Sequence, residues 1–189
     1  MDEEDVRGMS WDHPFADLEF SRSDEGSPRT SVPHVPDDPA ALRRMFSQYP
    51  TGVAAICAHV DGEAHGMVVT SFTVGASFDP PLVLLAAQRS SRTWPLLARA
   101  ERLGISVLAE ANREVVSRLA SRTADRFAGV AVARSAEGAV FVQNARLWLD
   151  CVLRDQLELG DHELAVLEVR GASSLATAEP LVYHDGRVR

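Results

Sequence analysis

The sequence has no lysine, so all 19 basic residues among its 189 positions are arginines. Without a lysine amine, the chain excludes pyridoxal Schiff-base chemistry and the phosphate-binding lysine of a P-loop. No two of its 12 glycines are spaced as G-x-G, which excludes the dinucleotide-binding fingerprint of a Rossmann fold. A G-x-S-x-G nucleophile motif is missing as well. The sequence therefore supports none of these enzyme classes.

Cysteines and long apolar runs are also scarce. Cys57 and Cys151 are the only cysteines, too few for a disulfide framework and typical of a reducing compartment. The longest apolar stretch, residues 80–87, is far too short to span a bilayer. The acidic N-terminus lacks the basic and apolar regions of a signal peptide, and Cys57, His59 and His65 match no common zinc-ligand spacing. We therefore predict a cytoplasmic protein with no membrane segment and no metal site.

The negative charge is concentrated near the N-terminus. Residues 1–40 contain 11 acidic residues against three arginines, which accounts for the whole net charge of −8, and five of the ten prolines. We predict an acidic, Pro/Ser-rich and largely disordered extension over residues 1–38, followed by one folded domain over residues 39–189. Residues 41–189 carry no net charge, which argues against nucleic-acid binding, because a nucleic-acid-binding protein needs an excess of basic residues. Some apolar side chains of the extension are suited to packing on the domain or on a partner chain: Trp11, Phe15, Leu18 and Phe20.

Short strands joined by tight turns dominate the rest of the chain. Asp61-Gly62 and Gly160-Asp161 are typical hairpin turns, and Asp79-Pro80-Pro81 interrupts the chain. Helical spacing predicts helices over residues 39–48, 93–100 and 112–121. The apolar patterns predict strands over residues 51–60, 67–72, 82–88, 105–108, 145–159, 162–175 and 181–183. Because strands and helices do not alternate regularly, we predict a mainly β fold, an antiparallel barrel with a few surface helices.

One turn between a predicted strand and a predicted helix is a candidate anion site. It brings together hydroxyl groups, two arginines and the first N–H groups of a helix whose N-cap is predicted to be Thr93. A phosphate fits such a turn, and an ordinary capped helix with solvated arginines is the alternative. The turn consists of Gln88, Arg89, Ser90, Ser91, Arg92 and Thr93.

Two further positions carry polar groups of interest. Thr70 and Ser71 interrupt an apolar strand, where they would hydrogen-bond either a planar heterocycle in the barrel mouth or water. His162 follows a hairpin turn, where it would orient a substrate, move a proton or simply face solvent. The aromatic residues Phe72, Phe78 and Phe127 are predicted to lie in the core.

Several segments, taken in order, resemble the flavin reductase-like proteins, the small reductase components of two-component flavin monooxygenases. No single motif is decisive, and the ordered set is specific. The resemblance covers residues 40–188. Its matching segments are Tyr49–Val53 and residues 66–97, 104–130, 160–169 and 180–188.

This resemblance implies an FMN-binding split β-barrel of Greek-key type that forms a homodimer, with the flavin near the subunit interface. The implied activity is hydride transfer from NADH or NADPH to N5 of FMN or FAD. The reduced flavin is then passed to a partner monooxygenase. The barrel supplies binding and orientation and the flavin supplies the chemistry, which agrees with the missing catalytic motifs.

The resemblance also implies roles for individual residues. His162 faces the nicotinamide, and Arg126 and Phe127 close the phosphate end of the flavin. Leu108 and Ala109 supply main-chain contacts. The turn residues Ser90, Ser91 and Thr93 hold the ribityl and phosphate groups, with Gln88, Arg89 and Arg92 beside them. The isoalloxazine is contacted by the strand residues Val68, Val69, Thr70, Ser71 and Phe72.

Three departures from the family pattern keep alternatives open. Thr70 stands where the family often has asparagine, Arg122 where lysine is common, and Val188 where the family has a C-terminal aromatic residue. An FMN-retaining oxidase or oxygenase acting on its own small substrate is therefore a second hypothesis. A non-catalytic flavin-binding protein is a third.

Overall fold

The structure is a computed structural model that describes residues 34–121 and 123–189. Within it, Pro36 to Arg189 form one compact unit. The aromatic residues of the acidic extension lie outside the described residues, as does nearly all of the extension itself. Its predicted disorder therefore stays a prediction.

The described residues are mainly β, as predicted. Three helices are present, α1 (Pro39–Phe46), α2 (Trp94–Leu97) and α3 (Arg113–Leu119), with a 3-10 turn at Glu110–Asn112 before α3. The strands are β1 (Thr51–Gly52), β2 (Ala54–Val60), β3 (Glu63–Val69), β4 (Thr73–Phe78), β5 (Pro81–Gln88), β6 (Leu103–Val107), β7 (Val132–Arg134), β8 (Val140–Val142), β9 (Leu147–Leu159), β10 (His162–Ser174), β11 (Val182–His184) and β12 (Arg187–Val188).

Seven strands form the main antiparallel sheet, in the order β3-β2-β6-β9-β10-β5-β4. Two smaller sheets accompany it, β1-β11-β12 and β7-β8. None of the helices in the described part of the chain is long and apolar enough to cross a membrane.

Strand β2, the second strand from one edge of the main sheet, is buried on both of its faces. Successive side chains of a strand point to opposite faces. Ala54 and Ile56 pack in one apolar cluster with α2 and β5, while Ala55 and Cys57 pack in a second cluster beneath α3 and β8. The near-continuous apolar sequence of β2 is thus the signature of a strand covered on both sides.

The two predicted hairpin turns are present. Asp61 and Gly62 both have positive φ angles, 52° and 89°, as a tight two-residue β-turn requires. Gly160 has φ 61° in the turn between β9 and β10. These turns fix the register in which β2 pairs with β3 and β9 with β10.

Several predicted boundaries are wrong. The strand predicted over 51–60 divides at Val53, whose N–H donates to the Leu181 carbonyl, so β1 pairs with β11 instead of joining the main sheet. The strand predicted over 67–72 ends at Val69, and the helix predicted over 93–100 is only the single turn α2. Strand β4 was not predicted, because Gly75 at φ 73° interrupts its alternation and its pairing with β5 is irregular.

Candidate functional site

Two cavities adjoin each other beneath helix α1. The larger has a volume of about 610 Å³ and the smaller about 360 Å³, and Arg43 of α1 lines both. Cavities of a few hundred Å³ are of the size that holds a small ligand. Besides Arg43, the larger cavity is lined by Phe46, Ser47, Tyr49, Thr51, Thr70, Ser71 and Tyr183.

Helix α1 is held at both ends by polar contacts. The Asp38 carboxylate accepts from the N–H groups of Ala40 and Ala41, and Pro39 occupies the first helical position. At the other end, the N–H of Asp185 donates to the Ser47 carbonyl at 2.7 Å. The turn between β11 and β12 therefore positions the helix over the two cavities.

The larger cavity has the chemistry of a site for a planar heterocycle. Tyr49, Tyr183 and Phe46 supply aromatic rings, and Thr51 and Thr70 supply hydroxyl groups. Among the described residues, the buried Thr51 hydroxyl has no hydrogen-bond partner. Unpaired buried hydroxyls are unfavourable in a folded protein, so a ligand that hydrogen-bonds Thr51 would satisfy a real deficit. The residues present thus fit a flavin ring.

The segment from Thr70 to Phe72 lies beyond the end of β3, not within a strand as predicted. The Ser71 hydroxyl donates to the Ala86 carbonyl at 2.7 Å and accepts from the Ala86 N–H at 3.2 Å. It therefore ties this loop to β5 and has little capacity left for a ligand. Thr70 remains the hydroxyl of this pair that is open to the larger cavity.

The predicted anion turn has two sides. Gln88, Arg89 and Ser90 face the smaller cavity, together with Gly160 and Asp161 of the β9–β10 turn. Arg92 is exposed.

Ser91 and Thr93 are engaged within the chain. The Ser91 hydroxyl accepts from the N–H groups of Thr93 and Trp94, so Ser91 caps helix α2. Thr93 occupies the N-cap position of α2, as predicted, but its side chain makes no capping hydrogen bond, because the Thr93 hydroxyl accepts instead from Nη1 of Arg126 at 2.6 Å. Nη1 of Arg126 also donates to the Gly66 carbonyl of β3 and Nε to the Ser121 carbonyl. Arg126 thus joins three segments of the chain, and it lines neither of the two cavities.

His162 is the first residue of β10 and is half-buried beside the smaller cavity. In the sheet register it lies opposite Gln88 of β5. Its Nδ1 is 2.7 Å from the carboxylate of Asp161. Since a carboxylate only accepts, Nδ1 carries the proton and Nε2 is left for a ligand. The hydrogen bond from His162 and its charge hold the pKa of Asp161 below its ordinary value, so Asp161 stays ionised as the orienting partner.

Other residues implied by the resemblance lie in the core. Val69 and Phe72 pack in the first apolar cluster, and Val68 and Phe127 pack in the second. The prediction that Phe78 lies in the core is wrong, because its side chain is 88% exposed on β4.

Leu108 and Ala109 are buried and line neither of the two cavities, and their main-chain groups are paired within the chain. The Leu108 N–H donates to Val53 and its carbonyl accepts from Leu181. The Ala109 N–H donates to Oδ1 of Asn112 and its carbonyl accepts from the Asn112 N–H.

Sequence reasoning gave no role to several cavity residues. Tyr49 and Thr51 belong to the first segment that resembles the family, and Tyr183 to the last, so a signal was present in the sequence. No sequence pattern indicated a role for Arg43 in the cavity, since it is one of two adjacent arginines on a short helix.

No group of three or more His, Cys, Asp or Glu side chains suited to a metal ion occurs among the described residues. Cys57 and Cys151 are both free and buried. Burial raises the pKa of each thiol to about 12. The two cysteines are therefore structural and are not nucleophiles at neutral pH.

Comparisons with known proteins show which family and which relatives this chain is similar to. The flavin reductase like domain matches residues 45–189. A flavin reductase of Pseudomonas putida is 36% identical over 150 residues, which cover 79% of this chain and 88% of the relative. The reductase subunit HsaB of a flavin-dependent monooxygenase from Rhodococcus jostii (strain RHA1) is 32% identical over 150 residues, covering 79% of this chain and 76% of the relative.

Among solved structures, the NADH:FAD oxidoreductase SgcE6 of Streptomyces globisporus C-1027, in complex with NAD and FAD fragments, superposes with a TM-score of 0.77. It is 29% identical, and the match covers 84% of this chain and 96% of that one.

Proposed function

This chain belongs to the flavin reductase-like family, and from that premise we propose that it is an NAD(P)H-dependent flavin reductase that supplies reduced FMN or FAD to a partner monooxygenase. The observation that carries the proposal is the larger cavity, where aromatic rings and the unpaired hydroxyl of Thr51 border a space suited to a flavin ring. The names of the relatives, which include a flavin reductase and a monooxygenase reductase subunit, support the same activity.

A flavin bound here supplies the ring that accepts a hydride from the reduced nicotinamide. The chain's own residues bind and orient. Tyr49 and Tyr183 would provide aromatic surface for a bound flavin, and Thr51 and Thr70 would supply hydroxyl groups that hydrogen-bond it. Ring-shaped ligands gain both affinity and orientation from such a combination.

His162 is the residue that positions the nicotinamide. Asp161 holds its imidazole through Nδ1, so Nε2 is available to hydrogen-bond the carboxamide of the donor. Hydride transfer depends steeply on the distance and angle between the two rings, so a residue that only orients the donor has a large effect on the rate.

Ser91 and Thr93 of the turn, together with Arg126, would close the phosphate end of a bound flavin, as the resemblance implies. Arg126 and the Thr93 hydroxyl are already hydrogen-bonded to each other, which holds the guanidinium in place before a ligand arrives. Such preorganisation reduces the entropy lost on binding.

The functional unit is a homodimer, and strand β4 supports it. The strand lies at the edge of the main sheet, and its Val74 and Phe78 side chains are exposed. An apolar edge strand left uncovered invites pairing with other chains.

Phe78→Glu is expected to shift the sedimentation equilibrium toward monomer, with Asp79→Asn as the neighbouring control. If the Phe78→Glu variant remains a dimer, the dimer interface does not involve β4.

The partner and location complete the proposal. The acceptor of the reduced flavin is a flavin-dependent monooxygenase, as for the relative from Rhodococcus jostii. A cytoplasmic location is part of the proposal, and the two buried free thiols support it because they suit a reducing compartment.

The test measures the oxidation of NADH and of NADPH in the presence of FMN, FAD or riboflavin. The reaction is monitored by the loss of nicotinamide absorbance. Multiple turnovers of added flavin are expected with at least one donor. In parallel, gel filtration with detection of flavin absorbance measures whether flavin stays bound. Flavin that co-elutes with the protein and is not exchanged during turnover would favour the FMN-retaining oxidase. Absence of flavin reduction with both donors would overturn the reductase proposal.

A further inference from the structure

Trp94, the first residue of α2, connects that helix to strand β10. Its side chain is 1% exposed, and the indole Nε1 donates to Oε2 of Glu163 at 3.0 Å. Its main-chain N–H donates to the Ser91 hydroxyl at 3.1 Å. Because a buried indole N–H needs an acceptor, the contact with Glu163 fixes the orientation of the Trp94 ring. The start of α2 is therefore tied both to the turn before it and to β10.

Glu163 follows His162 directly on β10. Successive side chains of a strand point to opposite faces, so these two side chains lie on different faces of the sheet. The partner of Glu163 in the register is Ala87 of β5, which packs in the same apolar cluster as Trp94. One strand thus carries the proposed donor-positioning residue on one face and the acceptor for the Trp94 indole on the other.

The turn before α2 has few other connections to β10. The pairing of β5 with β10 reaches Gln88, and the Arg89 N–H donates to the Asp161 carbonyl at 3.0 Å. Within the part of the chain that the structure describes, no main-chain hydrogen bond joins residues 90–93 to β10. The hydrogen bond from Trp94 to Glu163 is the next connection along the chain. It therefore holds the far end of the turn.

Local stability does not explain a carboxylate at position 163. Glu163 lies directly opposite Glu158 of β9, and like charges in such a pair are destabilising. Arg89 pairs with Glu158, and among the described residues no cationic side chain lies within 4.0 Å of the Glu163 carboxylate. Oε2 of Glu163 also accepts from Nε2 of Gln156 at 3.3 Å, and hydrogen bonds to a charged acceptor are stronger than neutral ones. The carboxylate is thus a strong acceptor for the indole at a cost in local stability.

We propose that Glu163 is a positioning residue for hydride transfer, which acts through the Trp94 indole to hold the turn before α2 in a fixed position relative to His162. The proposal rests on the proposed reductase function, in which the turn lies on the flavin side and His162 on the donor side. A displacement of about 1 Å between reacting groups can lower a rate by about 100-fold. A hydrogen bond that fixes the two sides relative to each other therefore affects the chemical step more than the binding of either ligand.

The experiment compares the parent protein with Glu163→Leu, which removes the acceptor, and Glu163→Gln, which keeps a neutral acceptor. Trp94→Phe keeps an aromatic ring in the core and removes the donor, and the double variant with Glu163→Leu completes a mutant cycle. Gln156→Leu is the matched control, because it removes the other hydrogen bond of the same carboxylate and leaves that of Trp94 in place.

Single-turnover reduction of the flavin is followed by stopped flow, with the flavin (FMN or FAD) and the donor (NADH or NADPH) that support turnover in the parent. The donor is varied to saturation, so the limiting rate is separated from donor binding. The isotope effect with the donor deuterated at C4 shows whether hydride transfer limits that rate. Fluorescence titration measures the dissociation constant of the flavin, and melting curves measure the stability of each variant.

We expect Glu163→Leu and Trp94→Phe each to lower the limiting rate by about tenfold, with the flavin dissociation constant within about threefold of the parent value. The double variant should be no slower than either single variant, because both remove the same hydrogen bond. Glu163→Gln should restore most of the rate, and Gln156→Leu should resemble the parent.

A limiting rate in Glu163→Leu equal to that of the parent would overturn the proposal, even if the melting temperature falls. A double variant whose loss is the product of the two single losses would overturn it too, as would a loss confined to flavin affinity. If Glu163→Leu does not fold, Trp94→Phe decides by the same criteria. If the parent reduces no flavin with either donor, the proposed function itself fails, and the positioning role fails with it.

Discussion

Asp161 lines the smaller cavity, and His162 beside it pairs with Gln88 at the end of β5. We expect His162→Ala to raise the KM for the nicotinamide donor or to slow flavin reduction by about tenfold, because a positioning contact is lost. Flavin affinity should change little. Asp161→Ala should give a smaller defect of the same kind, since it releases Nδ1 but leaves the imidazole in place.

Stopped-flow reduction by NADH, together with a flavin titration, measures both effects. His65→Ala is the control, because His65 is also half-buried but lines neither cavity. Identical reduction rates in His162→Ala and the parent would make His162 only a turn residue.

The two thiols provide a test of burial at single positions. Burial raises the pKa of Cys57 and of Cys151 to about 12, which leaves both thiols protonated at pH 8. The thiolate is the reactive form, so we expect no labelling of the native protein by a thiol reagent over minutes. In denaturant both cysteines should react. Labelling of the native protein at the rate of a free thiol would show that one of the two clusters opens.

At this scale the sequence predicted only part of the site. Gln88, Arg89, Ser90 and Thr70 do border the cavities, because each lies at or just beyond the end of a strand that the apolar pattern revealed. Arg43 was not predictable, since its place depends on the hydrogen bond between Asp185 and Ser47, which are distant in sequence. The Thr93 hydroxyl was misassigned because Arg126, also distant, competes for it.

At the scale of elements, the contact between β6 and β8 depends on a glycine. A Cβ built on Gly104 would lie 2.1 Å from the Val140 carbonyl oxygen, which is main chain and unable to rotate away. We expect Gly104→Ala to lower the free energy of unfolding by about 3 kcal/mol or more, the upper end for overpacking. Urea unfolding measures the loss.

Gly171→Ala is the matched control, because its Cβ would meet only the Asp150 side chain at an ordinary 3.7 Å. Equal stabilities of the two alanine variants would mean that β8 shifts to accept the methyl group.

Elements with strong local signals were predicted, and elements without them were not. The hairpins at Asp61-Gly62 and Gly160-Asp161 carry turn residues that tolerate positive φ, so their strands were found with the correct partners. Strands β7 and β8 have three residues each, too few for a period to show. Helix α2 is a single turn, Trp94–Leu97, too short for its helical spacing to define its end in the sequence.

At the scale of the whole molecule, the apolar cores and the net charge belong to different parts of the chain. The buried apolar residues of the described ranges begin at Val53, and the matched family domain begins at residue 45. Residues 1–35 contain nine acidic residues and three arginines, which is −6 of the total −8. A truncation just before Pro36, where the compact unit begins, therefore removes most of the net charge and keeps the buried apolar residues.

We expect a protein lacking residues 1–35 to fold and to reduce flavin within a few-fold of the full chain, because it retains both cavities and both apolar clusters. Its net charge becomes −2, so an electrostatic effect of the extension on anionic FMN or NADH should appear only at low salt and vanish at high salt. Circular dichroism, sedimentation and turnover at two ionic strengths measure fold, assembly and activity separately. A full-length variant with the nine acidic residues changed to Asn or Gln controls for charge alone. Loss of dimerisation or of flavin binding in the truncated protein, but not in the neutralised one, would show that Trp11, Phe15 or Phe20 packs against the functional unit.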